Sequence, residues 1–251
     1  RRGAMDELLS RQREFVAAHA IEAWSDRLRA EGVDVEAAVR RGDPVEVLVD
    51  EARARAAAAI AVAVRPPPAV FGGTLARLVR RAPAPVLLLR EPRRPGGAVH
   101  RIAGLLDAGA PPARVARAVA ALAAAHDAEV VLVATGDPFG SAVRRAVDEA
   151  ERQLAAAGQR VRVRLAGEVA PRPLCSILEE ERPDVIALAG PPPGSVADAA
   201  DRMLVQLLLD SPSSLLVVQE GARAPTAERP TCRRVRLSRG ARARTREEVA
   251  R

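Results

Sequence analysis

At 251 residues, 48% hydrophobic, with three Phe, one Trp and no Tyr, the chain holds one large domain or two of about 100–150 residues with cores of Ala, Val and Leu. No apolar run reaches the ~18 residues of a membrane span and no signal-peptide pattern opens the chain, while Cys175 and Cys232 make neither a metal spacing nor a disulfide framework, so a cytoplasmic protein is expected. The formal charge of +7 lies wholly in residues 221–251, where ten Arg stand against three Glu, which argues against a specific nucleic-acid interface on the neutral remainder.

In chain order, apolar spacing predicts a helix over residues 6–30, an alternating strand between Gly32 and Gly42, an amphipathic helix after Asp43 and a buried strand ending near Val64. A helix then leads to "APAPVLLLRE" (82–91), a proline kink and an apolar strand. Beyond a linker at 93–99 come a strand at 101–106, a helix at 111–125, the apolar strand "EVVLVA" (129–134), and a helix at 140–157. A strand at 160–165, a helix at 171–181, a strand at 184–189, a helix at 195–210 and a strand at 214–219 complete the body. Residues 221–251 lack periodicity and read as a disordered tail, either a solvated extension or an arm for polyanion contact.

The proline-kinked strands repeat. "RAEGVDVEAAVRRGDPVEVLVDEARARAAAAIAVAV" (29–64) matches "LAAAGQRVRVRLAGEVAPRPLCSILEEERPDVIALA" (154–189), with an offset of 125 from Gly42/Gly167 through Ala59/Asp184 and of 129 at Pro83/Pro212. The chain therefore divides into an incomplete repeat (1–92), the linker, a complete repeat (100–220) and the tail. Strictly alternating strands and helices predict parallel sheets with helices on both faces, and ligands at the carboxyl ends of strands. The strand–helix–strand that matches residues 101–134 has no counterpart in the first repeat. The simplest account is a sequence that continues upstream of Arg1; a true half-domain would leave a sheet without its central strand.

"RIAGLLDAGAPPARVARAVAALAAAHDAEVVLVA" and the closing "SPSSLLVV" and "APAPVLLL" resemble the universal stress protein family, over roughly residues 6–90 and 100–219. The resemblance implies a Rossmann-like α/β fold in two tandem repeats, cytoplasmic stress association and, in one branch, ATP binding. That branch carries Gly-x-x-Gly, nine residues, then Gly-Ser or Gly-Thr, because glycine N–H groups and a helix N-terminus hold phosphate. Repeat one has Arg65–Pro68 where the leading glycines belong, and proline has no N–H to donate. Gly73-Thr74 alone matches the closing pair. Repeat two keeps Gly190, then three prolines and Gly194-Ser195; in family register the closing pair falls at Asp201-Arg202, where Asp201 repels phosphate. The resemblance makes Asp107 the acid that meets adenosine, with Leu105 where the family often has proline.

Two readings of this loop stay open. Gly190 and Gly194 are turn residues and Ser195 an N-cap, or Asp107, Gly190, Gly194 and Ser195 form a residual nucleotide or anion site. No cofactor is required, ATP being the one that the second reading admits. His19, His100 and His126 are scattered, "ATGDPFG" (134–140) reads as a turn as readily as a ligand loop, and no nucleophile, paired-carboxylate or metal pattern stands out. A non-enzymatic stress-response or signalling module is expected, with nucleotide binding degenerate or lost. The alternative is the cytoplasmic regulatory part of an ion antiporter or amino-acid transporter, the resemblance admitting such fusions and a protein partner. Val86–Leu89 and residues 215–218 are expected to be apolar edge strands that pair the repeats within one chain, as in family dimers.

Overall fold

The computed structural model describes residues 2–64, 73–91, 98–107, 111–137, 139–167, 171–191, 204, 206–208 and 210–220. Residues 93–97 of the linker, Arg65–Pro68, Gly194, Ser195, Asp201 and the tail fall outside them. The chain divides into two compact units, one containing residues 1–41 and the other residues 42–227.

In the first unit, α1 (Arg2–Ala30) ends with Arg27 and Arg29 in its last turn, where cations meet the negative end of the helix dipole. Gly32 takes the left-handed region (φ 83°) and Val33 N–H donates to Leu28 O at 3.0 Å, closing the helix as Gly158 and Gln159 close a later one. The alternating strand expected after Gly32 does not form, and residues 33–41 stay outside any ladder. Its counterpart in repeat two is a strand through pairing with residues 130–134, and among the described residues before 92 none forms an equivalent neighbour. Alternation without a hydrogen-bonding partner leaves backbone groups better satisfied by water.

The second unit opens with α2 (Pro44–Ala54). Asp43 caps it, its carboxylate accepting from Val45 N–H at 2.9 Å and Glu46 N–H at 3.3 Å, and Pro44 suits the first turn. Val45, Val49 and Ala52, at helical spacing, face the core. Then come β1 (Ile60–Ala63), α3 (Thr74–Arg81) and β2 (Val86–Leu89). Arg77 and Arg81 of α3 reach back to Asp43 and Glu46, fastening the two helices. Repeat two runs β3 (Arg101–Asp107), α4 (Pro112–His126), β4 (Glu129–Thr135), α5 (Ser141–Ala156), β5 (Val161–Leu165), α6 (Pro171–Glu181), β6 (Val185–Ala189) and β7 (Ser214–Val218). Of the helix expected at 195–210, the described residues 204, 206–208 and 210 are helical.

All seven strands form one sheet in the order β1-β2-β7-β6-β3-β4-β5. Every pairing is parallel except β2 with β7, where Val86, Leu87 and Leu88 face Val217, Leu216 and Leu215. Leu87 and Leu216 stand 129 positions apart, as Pro83 and Pro212 do, so each strand pairs with its own repeat equivalent. The registers Ile60↔Val86 and Ile186↔Leu215 likewise equate Ile60 with Ile186, one residue beyond the offset of 125 that precedes the strand. Two aliphatic cores lie on the two faces. One holds Val45, Val49, Leu78, Leu88, Ile186 and Leu215; the other holds Ile102, Val115, Val119, Leu132, Leu154 and Leu216. Gly104 lets α4 approach, since a Cβ there would stand 3.0 Å from Leu132 and 3.2 Å from Val119.

Arg90 crosses the junction. Its backbone N–H donates to Ser214 Oγ at 3.1 Å and its guanidinium to Leu208 O at 2.6 Å. Leu215 is fully buried beside it. Leu215→Ala is expected to lower stability by about 2–5 kcal/mol through a cavity at this antiparallel seam, read as the midpoint shift in urea unfolding. The cap gives a pH signature as well. The Glu46 N–H, the Val45 N–H and the Arg77 guanidinium hold the Asp43 carboxyl below its ordinary range. Its contribution is therefore complete above the unfolded-state value and is lost as pH falls through the lower folded value. Urea titrations between pH 2 and 7 should show the wild type and Asp43→Asn converging at the acid end and diverging above about pH 4.

Candidate functional site

β3 is followed by a crossover to β4 on one side, while β6 lies on the other, so the strand order reverses between β3 and β6. The crevice beyond their carboxyl ends is where such sheets place ligands. Asp107, the last residue of β3, is exposed at this rim, and Gly190 follows β6. Sequence reasoning thus brings two of its four site residues to adjacent strand ends, with Gly194 and Ser195 outside the described residues.

Gly190 is committed elsewhere. Its N–H donates to Val218 O at 2.9 Å, and a Cβ there would stand 3.2 Å from Val217 Cγ1. In repeat one Val64 N–H donates to Leu89 O at 2.8 Å in the same way. The bond therefore belongs to the β-ladder of both repeats, one of which uses valine. Beside Gly190 lies Gln219, buried, with neither its Oε1 nor its Nε2 hydrogen-bonded. Arg114, in the first turn of α4, meets Glu220 at 3.9 Å with little of its side chain exposed. Sequence reasoning passed over Gln219 and Arg90, although the repeat aligns them: both stand at the polar stop after the apolar strand.

The "ATGDPFG" segment continues the rim past β4. Thr135 is buried and its hydroxyl donates to Leu106 O at 3.3 Å. Gly136, at φ 117°, donates its N–H to Gly167 O at 2.7 Å. Asp137 then forms an Asx-type turn, its Oδ1 accepting Phe139 N–H at 2.9 Å and its backbone O accepting Gly140 N–H at 2.9 Å. The turn leaves Phe139 80% exposed.

Among the described residues, catalytic groups do not converge here. His19 lies against Phe15, with ring centroids 4.9 Å apart, His126 ends α4, and His100 precedes β3. Among the described residues no three His, Cys, Asp or Glu side chains are grouped to hold a metal. Burial raises the Cys175 thiol pKa, with Asp210 and Glu179 adding to the effect, which keeps it protonated and a poor nucleophile. No described helix is long and apolar enough to cross a membrane.

The universal stress protein family model matches residues 1–90. No curated protein matches the chain. A universal stress protein of Archaeoglobus fulgidus DSM 4304 is 14% identical, with a TM-score of 0.66 over 83% of this chain and 77% of its own. A Pseudomonas aeruginosa UCBPP-PA14 protein described as a universal stress protein is 15% identical, with a TM-score of 0.60 over 81% and 78%. At such identities these similarities establish the fold, an α/β sheet of mostly parallel strands with helices.

Gly136 holds the rim. A Cβ there would meet Val143 at 3.0 Å in a backbone conformation that other residues adopt with strain. Gly136→Ala is expected to lower stability by about 1–3 kcal/mol, measured by thermal unfolding against the wild type.

Proposed function

We propose, from the match of residues 1–90 to the universal stress protein family model, that the chain is a non-enzymatic, cytoplasmic stress-response module of that type whose nucleotide site is degenerate. The observation that carries this reading is the state of the backbone donors. Gly190 spends its N–H on Val218 O, and Pro191–Pro193, which follow, have none to offer. Repeat one has the same deficit at Pro66–Pro68. A triphosphate held by backbone amides loses roughly 1.5–3 kcal/mol with each charge-assisted hydrogen bond removed, and several are removed in both loops.

The β2–β7 seam fits the same role. Leu87 opposite Leu216 is the self-complementary arrangement of an isologous contact, so the two repeats act as an intrachain pseudo-dimer. A second reading draws support from Asp107 alone, placed at the reversal of strand order: a weak nucleotide or anion site between Asp107 and the Gly190–Ser195 loop. Calorimetry with ATP separates the two. Millimolar or unmeasurable affinity is expected for the wild type; micromolar binding that Asp107→Ala abolishes would establish the second reading in place of the first.

A further inference from the structure

β5 ends the sheet, and among the described residues its outer edge pairs with no strand. Native edges are blunted because unpaired N–H and C=O groups invite a further strand. This one is blunted on one face and open on the other. Arg160, Arg162 and Arg164 alternate with Val161, Val163 and Leu165. On the arginine face, Arg162 shares Glu129 and Glu181 with Arg101, and Arg164 meets Glu180 and Glu181, whereas Arg160 makes no ion pair among the described residues.

The other face differs. Val161 and Val163 pack partly against the core beneath α5, and Leu165 is 50% exposed. Phe139, in the turn that leads into α5, lies at the same corner, because Ala166 N–H donates to Ala134 O and Gly136 N–H to Gly167 O. Within residues 42–227 the exposed large apolar side chains described are Leu89, Phe139 and Leu165. Two of the three thus flank these bonds, Phe139 on the turn held by Asp137 and Leu165 at the end of β5.

From this we infer that the β5 edge binds an extended segment of a partner protein, in which acidic residues alternate with apolar ones. Its backbone adds a strand to β5. Its acids stand opposite the arginine row, and its apolar side chains run along Val161 and Val163 to the Phe139–Leu165 corner, since residues directly opposite share a face. A second copy of this chain is the wrong occupant, because a β5–β5 pair sets arginine against arginine. This surface lies apart from the β3–β6 crevice and goes beyond the proposed function.

The probe is a fluorescently labelled, end-blocked peptide of alternating Val and Glu ending in Leu, titrated into the intact protein by anisotropy. Binding is expected for this peptide and not for its Val-Lys counterpart, nor for a version N-methylated at alternate backbone positions. Phe139→Ser and Leu165→Ser alter exposed side chains, and together they should weaken binding at least about tenfold with the unfolding midpoint unchanged. Equal binding of the acidic and basic peptides, or binding indifferent to the double substitution, overturns the inference. So does a concentration-dependent dimer in sedimentation that the double substitution dissolves, which would make a second copy the occupant.

Discussion

The antiparallel contact of β2 with β7 is the constraint on which the rest of the second unit depends. Three residue pairs join two parallel sheets that would each end in a bare apolar strand. Pairing converts two edges into the middle of one sheet, where Val86, Leu88, Leu215 and Val217 are buried on one face and Leu216 on the other. Arg90 supports the seam by placing its guanidinium on a carbonyl in the last turn of the helix before β7, where the helix dipole favours a cation. Gln219 takes the equivalent place in the other repeat and finds no partner. The seam is thus symmetric in its backbone and asymmetric in its polar contacts.

The amino-terminal edge of repeat two is held by charge. Glu181 is buried, and its carboxylate meets Arg162 and Arg164 while Arg101 donates to its backbone O at 2.6 Å. Asp184 accepts the His100 and Arg101 N–H groups at 2.8 and 3.0 Å, and Ser213 donates to Pro183 O at 2.6 Å. A buried carboxylate is tolerable only when its lone pairs are occupied, and here Arg162 and Arg164 of β5, with Arg101 of β3, supply the donors.

Most elements of repeat two were legible from spacing. Short apolar strands such as "EVVLVA" and Ala-rich helices with three- and four-residue spacing admit one reading each, and the boundaries found differ by a residue or so. Residues 33–41 show where pattern fails: alternation states which side chains would share a face, but a strand also needs a neighbour. The candidate site was half legible. Asp107 and Gly190 reach the rim because chain order fixes where parallel strands end. The use of the Gly190 N–H was hidden, since it depends on the register between β6 and β7, which local sequence does not encode. Gln219 was hidden for a similar reason, its burial arising from tertiary packing around an ordinary polar residue.

The reversal of direction at β2–β7 has a geometric consequence for any ligand. Strands β1 and β2 run opposite to the other five. The carboxyl end of β1, at Val64, therefore lies at one rim of the sheet, and that of β6, at Gly190, at the other. The repeats share a backbone framework yet end their equivalent strands at opposite rims of one sheet. A small molecule held at one of these strand ends therefore lies the length of a strand away from the other, and the β2–β7 ladder, with Leu87 opposite Leu216, is what joins the two halves of the sheet.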